Sequence, residues 1–329
     1  MTLLSHWRKL GRLGMTLAAA VWVSMAGAQS AYKPTQSVQV VVGFGAGGVT
    51  DVIARIMAEE LKKEFGQSFV VMNRPGASGV LGAQYVAKAA PDGHTLLFIP
   101  STHTSHPALR KEMPYDTVED FTAIDLLVTA PNLLVVRADS PWMNMADFVA
   151  DAKKRPNAIQ YASSGIGVST HLGAEQFQHL AKIKLYHVPY KSSTDPIRAL
   201  LAGEVTASFS ALNAAMPFIK SGRLRVLGVA SEKRSQLLPE GPTFEEQGLK
   251  GMRSETWIGV IGPAKMPPAM VAAMNQFFRK TLARPDIVEK IAIAGAEPVG
   301  IQGDAFMKLM REEVELNRQL AKIADIKAE

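Results

Sequence analysis

The chain has 329 residues, no cysteine and a formal net charge of +6, which excludes disulfides, thiolate chemistry and a lipid anchor built on a cysteine. Its positive charge is spread along the sequence with no Lys/Arg cluster of the kind a nucleic-acid-binding surface demands, which leaves a small anion as the natural charged partner. The length exceeds what one hydrophobic core usually serves, so two lobes are expected.

The amino terminus comes first in chain order. Arg8, Lys9 and Arg12 precede the apolar run Leu13 to Val23, and Ala26, Gly27 and Ala28 follow as a small-x-small cleavage site. This is the pattern of a secretory signal peptide, and the run is too short to span a bilayer. Cleavage near Ala28 would leave 301 residues and lower the net charge to +3, because the leader carries three cations and no acidic residue. A soluble periplasmic protein, monomeric and without cofactor, is the expectation.

Val38 to Val42 is a β-branched run; after a glycine-rich turn, Val52, Ile53, Ile56, Met57, Leu61 and Phe65 recur at helical spacing. The alternation continues with a strand over Ser68 to Met72, a helix over Val80 to Lys88 and a strand over Thr95 to Ile99, which predicts a parallel sheet flanked by helices. A second α/β series starts after Pro131 and Asn132. Its strands are Leu133 to Val136, Ile159 to Tyr161, Leu185 to Val188, Val205 to Ser210 and Leu224 to Ala230. Its helices are Met145 to Lys154, His171 to Ala181, Asp195 to Ala202 and Ala214 to Ser221. Past the Pro/Gly-rich stretch Pro239 to Gly251 come a strand at Ile258 to Gly262 and helices at Pro267 to Leu282, Asp286 to Ala294 and Asp304 to Ala324. These late helices lack a sheet of their own and should return to the first lobe. The expected fold is α/β: residues 29–131 plus 253–329 form lobe 1, residues 132–252 form lobe 2, and two crossovers leave a ligand cleft between them.

Gly43, Phe44, Gly45, Ala46, Gly47 and Gly48 match G-x-G-x-x-G between a strand and a helix. The rest of a dinucleotide fingerprint is missing, since Asn73 stands where a ribose-binding acid belongs. Val49 occupies the place of a P-loop lysine. What remains is a helix amino terminus able to attract an anion, and a carboxylate meets that as well as a phosphate. Gly76 to Gly79 opens the next helix and Ser163 to His171 opens one in lobe 2, so three such loops divided between two lobes predict a shared anion site. His103 and His106 read as part of a Pro- and Thr-containing loop with no H-E-x-x-H pattern, so no metal is expected. No G-x-S-x-G elbow is present. His171 either donates to a ligand or caps its helix. Asp51 reads as the anchor of its helix, paired with Arg55 one turn on, and Lys153, Lys154 and Arg155 as a solvated helix end.

Taken together, the strings Val41 to Gly48 with Asp51, Ala54 and Arg55, Asn73 to Ala77, Ala90 to Leu97, Gly167 to Leu172, His187 to Lys191 and Gly241 to Phe244 resemble the Bug family, the periplasmic substrate-binding receptors of tripartite tricarboxylate transporters. The resemblance implies a periplasmic-binding-protein-like Venus flytrap that closes on a small carboxylate and presents it to membrane permease subunits, or to a sensor protein, without catalysis. Carried over by position, it implies a ligand site of Phe44, Gly45, Ala46, Gly47, Gly48, Ala77, Ser78 and Gly79 in one lobe and Ser163, Ser164, Gly167, Thr170 and His171 in the other, with Ser101 and Thr102 facing the same cleft. The chain departs from the family where Gly45 replaces a common proline, His94 a tyrosine, and Ser192 to Pro196 a Gly-Ala-x-Pro-Ala string. Ser210 stands at the strand end where an aspartate is common. Without that aspartate to meet an ammonium, a plain mono- or dicarboxylate, aromatic acids included, is expected in place of an amino acid. A carboxylate-metabolising enzyme is the competing reading, and it lacks a nucleophile, metal cluster or cofactor motif.

Overall fold

The computed structural model describes residues 32–326; the signal-peptide reading and the cleavage near Ala28 lie outside the described residues. The chain opens with β1 (Val38–Val42), α1 (Val49–Phe65), β2 (Phe69–Asn73), a single 3-10 turn at Ala77–Gly79, α2 (Val80–Ala87), β3 (Thr95–Pro100) and α3 (Thr102–Leu109). β1 lies between β2 and β3 and is parallel to both. Val38, Val40 and Val42 enter one core and Val41 another. Burial on both faces is why this strand reads as an unbroken apolar run with no alternation.

The next element is β4 (Phe121–Arg137), 17 residues long. Its first part pairs with β9 (Glu255–Pro263) and β10 (Glu297–Gln302), and from Asn132 onward it pairs with β7 (Ala207–Ala211) and β8 (Leu224–Val229). One continuous strand thus serves both halves. From sequence alone a strand starts only at Leu133, because Pro131 and Asn132 look like a boundary. Pro131 sits where the strand leaves one sheet for the other, a place where a missing N–H is tolerated. The sheet is also mixed where a parallel one was expected: β9 runs antiparallel to β3 and to β4, and β4 antiparallel to β7 and β8. The purely parallel pairings are confined to β1–β3 and to β5 (Gln160–Ser163) with β6 (Tyr186–Pro189) and β7.

Helices cover both faces of each half. In the first, α1 packs with α8 (Pro268–Leu282) and α9 (Pro285–Ile293) on one face, and α2 with α10 (Gly303–Ile323) on the other. In the second, α4 (Met145–Lys154) and α5 (Ser169–Ala181) oppose α6 (Asp195–Ala202) and α7 (Leu212–Lys220). The late helices do return to the first sheet, and they bring the extra strand β10, hidden in the sequence by Pro298 and Gly300. The pairing of β10 with β4 is irregular between Pro298 and Ile301, and Gly300 there has φ +71°, as a bulge requires. Phe306, Met310 and Val314 line the buried face of α10 at four-residue spacing. That helix also contacts α3 and α5, one from each half.

α3 corrects another expectation. His103 and His106 stand on a helix, not in a loop, and both are buried. Pro107 deprives the His103 carbonyl of a helical partner, but the helix persists to Leu109. No group of three or more His, Cys, Asp or Glu side chains able to hold a metal occurs among the described residues, and no described helix is long and apolar enough to cross a membrane.

Candidate functional site

The three glycine-bearing loops lie at strand carboxyl ends and helix amino ends, and close packing joins the first two. A Cβ on Gly43 would lie 2.8 Å from the Cα of Gly79, and one on Gly82 would lie 2.9 Å from the Cα of Gly43. The first two loops therefore touch through backbone, which only glycine allows. Phe44 lays its ring against Gly79.

The first loop is held from below by Asp51. Its carboxylate accepts from the Gly47 N–H at 2.9 Å, from the Asn73 amide at 2.9 Å and from Arg55 at 2.9 and 3.0 Å. Asn73 also donates to the Phe44 carbonyl at 3.0 Å. The residue that broke the dinucleotide fingerprint is thus a brace for the loop. The Arg55 guanidinium, aided by the Gly47 N–H and the Asn73 amide, holds the Asp51 carboxyl down to about 2 although the side chain is buried.

The second loop is strained. Gly76, Ala77, Ser78 and Gly79 all have positive φ, at 146°, 50°, 58° and 99°. Ala77 and Ser78 occupy the left-handed region, where a non-glycine residue costs about 1–3 kcal/mol. Arg110, just beyond α3, donates to the Ala77 carbonyl at 3.0 Å and helps to secure the conformation.

The third loop, from Ser163 to Val168, is built over a column of rings. His171 stacks on His187 at 4.0 Å, and His187 on Tyr161 at 4.8 Å. His187 Nε2 lies 2.6 Å from Ser163 Oγ, and His171 Nδ1 accepts from the Gly167 N–H at 3.0 Å. Accepting at Nδ1 puts the proton of neutral His171 on Nε2, which lies 3.8 Å from Glu175. Burial pushes His171 down to about 3, with His187 adding to the effect, and His187 down to about 4. Both imidazoles are neutral at physiological pH.

The contact between halves falls here: a Cβ on Gly167 would lie 2.4 Å from Leu109 Cδ1. Leu109 is the last residue of α3, so the third loop rests on the element whose next residue secures the second.

Of the residues implied by resemblance, Gly45, Ala46, Gly47 and Ser164 offer exposed or partly exposed positions, beside Phe44, Gly48, Ala77 and Ser78. Several N–H groups and hydroxyls expected to face a ligand are already engaged. Gly47 donates to Asp51, Ser164 to Thr170, Gly165 to Ser163 and Gly167 to His171. Ser163, Thr170 and His171 are buried and shape the loop from beneath. Ser210 is buried in β7 with its hydroxyl 2.7 Å from Ser208. Ser101 and Thr102 have buried hydroxyls with no protein partner.

Those two residues also line a cavity of about 260 Å³ between α3, α5, α10 and β9, together with Glu255, Glu313 and Asn317. Burial raises both glutamates to about 7. Thr104 shares its hydroxyl proton between the Ser101 carbonyl at 2.7 Å and Glu313 at 2.8 Å, and the Trp257 indole N–H donates to the other Glu313 oxygen at 2.8 Å; both bonds favour the carboxylate, and burial outweighs them.

His187, Leu109 and Arg110 hold these loops and carry no such mark in the sequence. His187 stood in a family string with no role attached. The other two fell in a stretch read as loop because of Pro107, and no local signal marks them.

A two-lobed α/β fold with loops gathered at strand carboxyl ends and helix amino ends is that of the solute-binding receptors. A family model described as tripartite tricarboxylate transporter family receptor matches residues 53–326. A UPF0065 protein from the tcbD-tcbE intergenic region of Pseudomonas sp. strain P51 is 35% identical over 86% of this chain and 84% of its own length. Protein BugT of Bordetella pertussis is 31% identical over 94% of both. Among solved structures, Rpa4515 of R. palustris with adipate is 33% identical, with a TM-score of 0.73 over 90% of this chain and 99% of that one. MatC of Rhodopseudomonas palustris with bound malate is 28% identical, with a TM-score of 0.68 over 87% and 99%. The chain belongs to the tripartite tricarboxylate transporter receptor family, as the Bug resemblance implied, and its relatives are periplasmic solute-binding proteins, not enzymes.

Proposed function

We propose that this protein is an exported periplasmic receptor that captures a small organic carboxylate between its lobes and presents it to the permease subunits of a tripartite tricarboxylate transporter. The observation that carries this reading is the packing of the loops: Gly43 against Gly79 within the first half, and Gly167 of the third loop against Leu109, at the end of α3, across the halves. Helix amino termini and backbone donors suit a carboxylate, and the neighbours solved with adipate and malate hold dicarboxylates. The exposed segment Phe44 to Gly48 and the strained residues Ala77 and Ser78 would contact the ligand from one side, and Ser164 from the other, with Gly79 and Gly167 setting the backbone beneath them. Ser163, Thr170 and His171 would act by holding that second surface in shape, and Ser101 and Thr102 would contribute hydroxyls at the floor.

Closure would bring residues 29–131 and 253–329 toward residues 132–252 about the two crossings. The leader would be removed near Ala28. Ser210 offers no carboxylate for an ammonium, which favours plain acids over amino acids. The test is a thermal-shift screen of residues 29–329 against mono-, di- and tricarboxylates, aromatic acids, amino acids and sugars. A ligand at ~100 times its Kd adds about 2.7 kcal/mol of stability, so a raised Tm confined to acids is the expected result. No response to any acid, or a response to sugars alone, refutes the reading.

A further inference from the structure

Most arginines of the described chain are already spent. Arg55 and Arg155 bind carboxylates of their own helices, Arg225 donates to three backbone carbonyls, and Arg74 lies 3.7 Å over the Tyr85 ring. Arg110 differs. It follows the last residue of α3, is partly exposed, and gives one N–H to the Ala77 carbonyl at 3.0 Å. No carboxylate among the described residues forms an ion pair with it, although thirteen pairs of a lysine or arginine with a carboxylate occur elsewhere among them.

Its location is as telling as its lack of a counterion. The Ala77 carbonyl belongs to the strained second loop, and Leu109, its neighbour in the chain, is the residue against which Gly167 of the other half packs. A guanidinium held there by one hydrogen bond keeps its other donors in a fork that fits a carboxylate, at the seam where the lobes meet. Its positive charge also opposes protonation of buried His106, whose pKa falls to about 4 chiefly through burial.

Resting on the receptor reading above, we infer that Arg110 is a specificity-determining residue: it binds a second carboxylate of the ligand, and the receptor therefore selects dicarboxylates over monocarboxylates of the same length. The first carboxylate sits at the amino terminus of α1 among Gly45 to Gly48, and the second meets Arg110 beside Ala77. A monoacid closing on the same site would leave this cation without its partner at the seam, which is a device for rejection as well as for attraction.

The experiment is isothermal calorimetry of residues 29–329 with adipate and hexanoate, which differ by one carboxylate, and with malate and 2-hydroxybutanoate as a shorter pair. The wild type should favour the diacid of at least one pair by about 10-fold or more, the worth of a charge-assisted hydrogen bond. Arg110→Gln should abolish that preference by weakening the diacid about 10-fold more than the monoacid, any loss from a loosened Ala77 loop being common to both, and Arg110→Lys, which keeps the charge and loses the fork, should fall between. If Arg110→Gln weakens both acids of a pair by the same factor, Arg110 only supports the Ala77 loop and the inference is overturned. A wild type that binds the monoacids as tightly as the diacids overturns it too, with the receptor reading intact. Failure of every acid to bind overturns both. Arg110→Lys guards against loss of fold, since a misfolded glutamine variant would lose the monoacid as well and the lysine variant would still report the preference.

Discussion

Asn132 donates its side-chain N–H to the hydroxyl of Ser254 at 2.8 Å, and Ser254 passes its own proton to the carbonyl of Ser169 at 2.9 Å. This short chain joins the two segments that cross between the halves, and it fastens both to the first residue of α5, where the third loop becomes helix. Backbone bonds reinforce it: Asn132 N–H to the Ser254 carbonyl, Ser254 N–H to the Ala230 carbonyl and Ala230 N–H to the Asn132 carbonyl, each at 2.9 Å. The crossings and the helix that carries the candidate site are therefore one hydrogen-bonded unit.

That unit is tightly packed. A Cβ on Gly173 would lie 2.2 Å from Ser254 Oγ and 2.5 Å from its Cβ. Gly173→Ala should therefore destabilise the protein by about 1–3 kcal/mol through overpacking. Ser254→Gly in the same chain should recover part of the loss despite giving up the hydrogen bonds. Urea unfolding of the two single variants and the double variant measures the coupling, and additive effects would show that the two residues do not interfere.

The contact between Gly167 and Leu109 makes a prediction about closure. Gly167 has φ +75°, so Gly167→Ala introduces both backbone strain and a clash with Leu109. Ligand affinity should fall by roughly 10-fold or more, because a clash across the seam opposes the closed state by more than about 1.4 kcal/mol. Leu109→Ala added to this variant should return the steric share and leave the strain. Calorimetry on the three variants separates the two parts.

Asp51 should matter to binding without touching ligand. Asp51→Asn keeps the shape but loses the charge that gathers Arg55, Asn73 and the Gly47 N–H. A freed Gly47 loop should weaken the ligand by about 10-fold while the melting temperature falls by a few degrees. Because the native carboxyl titrates near 2, its contribution to stability is present above about pH 4 and is lost as pH falls toward 2. Acid unfolding of wild type and Asp51→Asn should converge at that end.

Buried titratable groups set up opposing pH dependences. Asp125, Glu255 and Glu313 are raised to about 7 by burial. Each is neutral in the fold and ionised in the unfolded chain between about pH 4 and 7, so stability falls as pH rises through that window. His103, His106 and His187 are lowered to about 4 and His171 to about 3, again chiefly by burial. They are neutral in the fold and protonated when unfolded between about pH 4 and 6.5, so they make stability rise with pH. Four imidazoles against three carboxyls leave a net of one proton and a shallow rise of about 1.4 kcal/mol per pH unit between pH 5 and 6. Asp125→Asn removes one carboxyl from the balance and should roughly double that slope. Denaturant titrations at several pH values measure it, and an unchanged slope would mean that Asp125 is already ionised in the native protein.

Much of this was legible in the sequence, and the boundary of legibility has a physical cause. Hydrophobic periodicity located the helices other than α3 to within a few residues because each buries one stripe against a sheet, and the glycine loops declared themselves because close backbone approach and positive φ admit little else. The cysteine count, the leader pattern and the dispersed charge likewise narrowed the class before any fold was known. Tertiary structure decided what depends on partners far along the chain. β4 was continuous through Pro131 because two different sheets supply its neighbours, and β10 formed despite Pro298 and Gly300 because β4 offered an edge. His171 proved to hold Gly167 from beneath because His187, sixteen residues on, stacks against it. Arg110 gained its meaning only when folding set it beside Ala77, 33 residues earlier, since local propensity carries no information about which distant carbonyl a cation will find or whether a carboxylate will be there to neutralise it.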